Sequence, residues 1–180
     1  MENKKYYWNT RELVVIGTFT AMIRIVSFLI SITGGGMNPV SMILKNIVQT
    51  ALLIILIFSV RKFGTLTLYV LISSGITILT MGSGLMTMPG LLIGGIICDL
   101  IIKHLGGFKS DFAVLAGVAF FDFFNRLVSL NIGFWMVREN KMMFIFAAVA
   151  VGVGYLGCLI GLFVGKAFSK ELRHAGLIRS

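Results

Sequence analysis

Residues 13–32 read LVVIGTFTAMIRIVSFLISI, and across this run a single charge, Arg24, interrupts an otherwise apolar or hydroxyl-bearing sequence. About 20 residues at 1.5 Å rise cover the roughly 30 Å hydrocarbon core of a bilayer, so the run has the length of a membrane span. Working outward, further runs occupy approximately residues 39–60, 66–81, 88–102, 112–136 and 142–168, divided by glycine or charged punctuation. Lipid offers no partners to backbone N–H and C=O groups, so only helices or a closed barrel can cross it. Runs of this length without two-residue alternation predict helices. The expected fold is therefore all-α: one integral membrane domain over residues 1–180, a six-helix bundle whose third and fourth spans are the shortest.

Composition agrees with that reading. The chain is 57% hydrophobic and 13% charged, with a mean hydropathy of +0.96, outside the range of a soluble domain. A formal net charge of +9 would suggest nucleic acid in a soluble protein. Here the basic residues gather at the span ends, where they set orientation, and nucleic acid is not implied. With the N-terminus inside, Lys4, Lys5, Arg11, Arg61, Lys62, Lys103, Lys109, Lys166, Lys170, Arg173 and Arg179 are cytoplasmic and only Arg138 and Lys141 lie in outer loops. This bias predicts both termini cytoplasmic and argues against a dual-topology pump, which needs balanced loop charges. No small-residue cleavage site follows a short apolar core near the start, so the first run reads as a retained span. Tyr6, Tyr7 and Trp8 at the inner boundary and Trp135 at the outer one read as interfacial anchors. Cys98 and Cys158 fall within spans and suggest neither a disulfide framework nor a metal site, and no cofactor is expected.

The remaining basic residues, Arg24, Lys45 and Arg126, lie inside spans, and the topology puts all three in the outward half of the membrane. A charge near the bilayer centre costs about 2.5–3.5 kcal/mol on insertion scales, which makes these residues the leading clue to function. On the first helix Thr20, Arg24, Ser27 and Ser31 align on one face; Lys45, Asn46 and Gln49 sit together on the second. Ser73, Ser74, Thr77 and Thr80 mark the third, and Asp122, Asn125, Arg126 and Ser129, flanked by Phe120, Phe121, Phe123 and Phe124, mark the fifth. Tyr155 of the sixth completes the candidate ligand contacts. Asp122 and Arg126 stand at i and i+4, a spacing that serves mutual neutralisation as well as ligand contact. Lys45 has snorkelling to the surface as its alternative. Asp99 lies toward the cytoplasmic end, so at least one cation lacks a visible partner. Excess positive charge with hydroxyls, amides and aromatics suits a small ligand carrying a carboxylate or phosphate on a flat apolar body.

Two apparent nucleotide motifs fail on context. Gly152, Gly154 and Gly157 spell GxGxxG inside an apolar helix with no preceding strand. Gly161, Gly165 and Lys166 have the wrong spacing for a P-loop, with Ala167 where a magnesium-binding hydroxyl belongs. Gly157, Gly161 and Gly165 instead read as a small-xxx-small face that admits a neighbouring helix. Gly17 and Ala21 form a similar patch on the first helix. Gly34, Gly35 and Gly36, just outside the first span, read either as a lid or as a flexible connector.

These features together resemble the S component of an energy-coupling factor transporter, the substrate-binding membrane subunit of an ABC-type importer of vitamins and micronutrients. The resemblance rests on about 180 residues in six spans with both ends inside and on the Gly17/Ala21 patch, where the family more usually has two alanines. The stretch from Met88, Pro89 and Gly90 through Gly94, Gly95 and Asp99 is also similar to the fourth helix of a branch with poorly assigned ligands. It implies a six-helix cylinder binding its ligand under the first outer loop and docking through the Gly17/Ala21 patch on a transmembrane T subunit, with two cytoplasmic ATPases supplying the ATP chemistry. A carboxylate vitamin or a tetrapyrrole suits the charge; a cation such as thiamine does not. An intramembrane enzyme would need a catalytic constellation in the spans, and none is visible, since His104 and His174 lie at cytoplasmic ends; no enzymatic activity is expected. The alternative is a self-sufficient ion-coupled carrier using Asp122, or a membrane scaffold.

Overall fold

The structure is a computed structural model that describes residues 7–34, 38–81, 88–108, 110–136 and 141–175. Gly35 and Gly36, with Lys4, Lys5, Tyr6, Lys109, Arg138 and Arg179, lie outside the described residues. Among the described residues the secondary structure is helical: α1 (Thr10–Thr33), α2 (Pro39–Ser59), α3 (Thr65–Met81), α4 (Met88–His104), α5 (Asp111–Met136) and α6 (Lys141–His174). The expected runs are met within a few residues at almost every end. The exception is α6, which continues to His174 rather than stopping near residue 168, because Lys166, Lys170 and Glu171 are good helix formers that need no lipid.

Local chemistry accounts for the boundaries. At the start of α1 the Glu12 carboxylate accepts from the Asn9 backbone N–H at 3.0 Å and pairs with Lys62 Nζ at 2.7 Å, tying this end to the α2–α3 connection. Pro39 stands in the first turn of α2, and the Asn38 side chain accepts from the Val40 N–H at 3.1 Å. Gly64, with φ of 92°, makes the left-handed turn into α3; a side chain there would be strained and would also press on the Trp8 ring. The N-terminus of α3 is capped from another helix. Asp99 of α4, fully buried, accepts from the Thr67 hydroxyl at 2.7 Å, the Thr67 N–H at 3.0 Å and the Leu66 N–H at 3.4 Å.

The helices close into a ring in the order α1–α2–α6–α5–α4–α3 and back to α1, with α2 also reaching α5 across the interior. Among the described residues four helical stretches, α1, α2, most of α5 and most of α6, are long and apolar enough to cross a membrane, and α3 includes a shorter apolar stretch. Large apolar side chains face outward all round: Leu79, Val40, Phe112, Phe146 and Phe163 are each at least 70% exposed. An apolar belt of that extent belongs against lipid. Inside, Ile16, Ile23, Ile54, Ile57, Leu66, Ile102 and Val114 form the packed core.

The most extensive contact in the ring is between α2 and α6, and glycine makes it possible. A Cβ on Gly157 would come within 2.7 Å of the Ile43 carbonyl oxygen, on Gly161 within 2.8 Å of that of Ile47, and on Gly165 within 2.9 Å of the Ala51 Cα. The small-residue face read from the sequence is therefore the face that meets α2, with backbone lying on backbone as lipid-embedded helices require. Gly17, by contrast, faces open space.

Candidate functional site

The polar stripes turn inward, but they do not meet in one compartment. A cavity of about 240 Å³ lies inside the ring, lined by Arg24 of α1, Gln49 of α2, Tyr69, Val70, Ser73, Ser74 and Thr77 of α3, Leu91 of α4, and Phe121, Asn125 and Ser129 of α5. A second, of about 230 Å³, is lined by Ser31, Ser41, Met42, Lys45, Asn46 and Arg126. Its Ser31 and Ser41 flank the α1–α2 connection, so it lies toward the end of the bundle where those helices join. The sequence led us to expect Arg24, Lys45 and Arg126 in a common space. Instead Arg24 takes the central cavity with Gln49 and Asn125, and Lys45 and Arg126 take the end cavity with Asn46.

Helix geometry explains the division. Arg24 follows Thr20 on the buried face of α1, where Thr20 is satisfied by its own helix through the Ile16 carbonyl at 2.7 Å. The Arg24 guanidinium then crosses to α3, donating from Nε to Ser73 Oγ at 2.8 Å and from Nη2 to the Ser73 carbonyl at 3.2 Å and to Ser73 Oγ. Both partners are neutral. Ser31 lies two turns further along α1, and Lys45 Nζ donates to its Oγ at 3.4 Å. Neither Arg24 nor Lys45 is in an ion pair with any described residue; the described pairs are Lys62–Glu12, Arg126–Asp122 and Arg173–Asp111.

Arg126 differs in kind. Its Nε donates to Asp122 Oδ2 at 2.6 Å, Nη2 to Asn46 Oδ1 at 2.9 Å and Nη1 to the Val151 carbonyl at 3.4 Å. Asn46 Nδ2 donates in turn to the Met42 carbonyl at 2.7 Å. This network joins α5 to α2 and α6, and Gly154 leaves the guanidinium its room. Asp122 and Arg126 pair with each other as their i and i+4 spacing allows; Asp122 lines neither cavity, and Arg126 also lines the end cavity.

Tyr155 also lines neither cavity; it packs edge-on against Phe123, itself 47% exposed, with centroids 5.8 Å apart. Gly34 ends α1 as its cap residue, and its carbonyl accepts from Ser41 Oγ at 3.5 Å. Sequence reasoning missed Tyr69 and Leu91 as cavity walls. For Tyr69 a signal existed, since it precedes Ser73 and Thr77 by one and two helical turns. The capping role of Asp99 was missed as well.

A closed helical ring, apolar toward its surroundings and holding polar-lined cavities beside its apolar core, defines an α-helical integral membrane protein. Residues 10–140, well over half of the chain, match the Trep_Strep family, described as a hypothetical bacterial integral membrane protein, and the chain belongs to that family. No curated protein and no solved structure matches it.

Proposed function

We propose that this chain is the substrate-binding membrane subunit of an importer of the energy-coupling factor type, taking a small anionic ligand from outside into the central cavity. One observation carries the reading: Arg24, an obligate cation, faces an internal cavity with only neutral hydrogen-bond partners. A guanidinium is poorly satisfied by a serine, and its planar fork suits a carboxylate or phosphate. Gln49, Asn125, Ser74 and Thr77 supply neutral donors and acceptors, and Tyr69 and Phe121 supply aromatic walls for an apolar ring. At about 240 Å³ the cavity is below the range usual for drug-sized ligands, which favours a carboxylate vitamin over a tetrapyrrole. Lys45 stands at the end cavity, where it draws anions toward the interior.

In this reading the basic end of the bundle is cytoplasmic, both termini lie there, and the protein is multi-pass in the bacterial cytoplasmic membrane. It performs no chemistry itself. A transmembrane T subunit would dock on the side of α1 where Gly17 and Ala21 leave open surface, and two ATPases would provide the energy. The ion-coupled alternative draws no support from Asp122, whose Oδ2 is engaged by Arg126 Nε at 2.6 Å. Affinity purification of the tagged chain from its native membranes tests the assignment: co-purification of a membrane partner with two ATPases is expected. Ligand uptake by the purified chain alone in vesicles, driven by an ion gradient, would contradict it.

A further inference from the structure

The opposite end of the bundle gathers a second group of cations that has no part in the interior cavities. Phe58, in the last turn of α2, is buried, and two guanidinium groups lie over its one ring: the central carbon of Arg173 is 4.6 Å from the centroid and that of Arg61 is 5.9 Å away. Asp111, the first residue of α5, accepts from Arg173 Nη2 at 2.9 Å. Arg61 donates from Nε to the Phe58 carbonyl at 3.3 Å. Among the described residues the Asp111 carboxylate pairs with Arg173, and Arg61 is in no ion pair.

Two donor nitrogens, Arg61 Nη2 and Arg173 Nε, are shielded from solvent and have no hydrogen-bond partner among the described residues. A buried donor left unpaired bears its full desolvation penalty, and here two belong to like charges stacked on the same ring. Burial first, and then the Arg173 charge, weakens the hold of Arg61 on its proton. Such a pair is stable with an oxyanion between its members, because a tetrahedral phosphate offers several acceptor oxygens to two planar forks. The surroundings indicate where that phosphate comes from. Phe112, next to Asp111, is 71% exposed, and Phe168, on α6 before Arg173, is 59% exposed, so the cluster adjoins the lipid-facing surface at its edge.

We propose that Arg61 and Arg173, held on Phe58 and limited by the single carboxylate of Asp111, form a binding site for the phosphate of an anionic phospholipid whose acyl chains join the apolar surface of Phe112 and Phe168. A zwitterionic headgroup would bring a cation toward a cluster already in positive excess, so the site discriminates between lipids.

Thermal unfolding of the purified full chain in detergent, with added phosphatidylglycerol, phosphatidylcholine or inorganic phosphate, tests this. Phosphatidylglycerol should raise the melting temperature by several degrees more than phosphatidylcholine. That excess should be lost in Arg61→Gln, survive in part in Arg61→Lys and be unchanged in Lys170→Gln, which removes the same charge from an exposed position on α6. Equal shifts with both lipids would overturn the proposal, as would a full excess retained in Arg61→Gln. A loss in Lys170→Gln as large as in Arg61→Gln would reduce the effect to general attraction and overturn it too. An equal shift with inorganic phosphate alone would assign the site to a soluble anion instead of lipid. Should the arginine variants fail to fold, native mass spectrometry of the unmodified chain with equal amounts of the two lipids decides: selective retention of phosphatidylglycerol supports the site, and indifference refutes it.

Discussion

The α2–α6 seam and the wall that α1, α3 and α5 present to the central cavity enclose the same interior by opposite means. Along the seam, side chains are removed: Gly157, Gly161 and Gly165 let α6 settle on the backbone of α2, and the nearby Arg126 is matched by Asp122 and Asn46. Along the cavity wall, side chains are kept and made polar, and the one formal charge, Arg24, meets only Ser73. Helices in lipid gain little from apolar burial between them, so close packing and paired charge are what hold the ring. A region that gives up both, retaining a cation and a void, gains less from its own contacts. On the function proposed above, polar groups that complete each other in this molecule are structure, and polar groups left incomplete around a space are the binding site.

The largest effect should come from breaking the seam. Gly161→Leu forces a side chain against the Ile47 carbonyl and Thr50 and is expected to cost about 3 kcal/mol or more in detergent unfolding. Gly152→Ala, on the same helix but facing open space, should change almost nothing. Equal melting temperatures for the two variants would remove the distinction between seam and surface. Next, Arg126→Ala leaves Asp122 without its cation and should cost about 2–3 kcal/mol, less than for a fully buried pair because both side chains keep some exposure. Removing both partners should cost less than removing Arg126 alone, a sign of coupling that a double-mutant cycle reads directly.

The cavity wall should respond in the reverse sense. Arg24→Ala is expected to shift stability by about 1 kcal/mol or less, since a charge without a counter-charge is lost with its desolvation penalty. Ser73→Ala leaves the Arg24 charge in place and should weaken ligand binding by about 5-fold, through loss of the hydroxyl that orients the guanidinium. An unfolding loss in Arg24→Ala as large as in Arg126→Ala would make Arg24 a structural residue.

Much of this was legible in the sequence because bilayer physics leaves few choices. Span lengths, the inward turn of the Thr20–Arg24–Ser31 face and the packing role of Gly157, Gly161 and Gly165 all follow from a 3.6-residue period in a medium without water. The division into two cavities did not follow, because periodicity gives the face of one helix and not its height against another. Arg24 and Lys45 share the interior, yet each reaches a different partner, Ser73 on α3 and Ser31 on α1. Asp99 was hidden for a related reason: a helix N-terminus capped by another helix leaves no local capping signature. Tyr155 differs again, a polar aromatic whose ring packs on Phe123 and which lines neither of the two cavities.

The central claim is that the Arg24 cavity exists to hold an anion, and what the protein carries tests it most directly. The tagged chain and its Arg24→Ala variant, both shown to be folded, would be extracted from native membranes and their bound small molecules identified by mass spectrometry. A carboxylate- or phosphate-bearing molecule present in stoichiometric amount with the unmodified chain and lost from Arg24→Ala is the predicted result. An anion retained equally by both, or a cationic ligand in its place, would contradict the account.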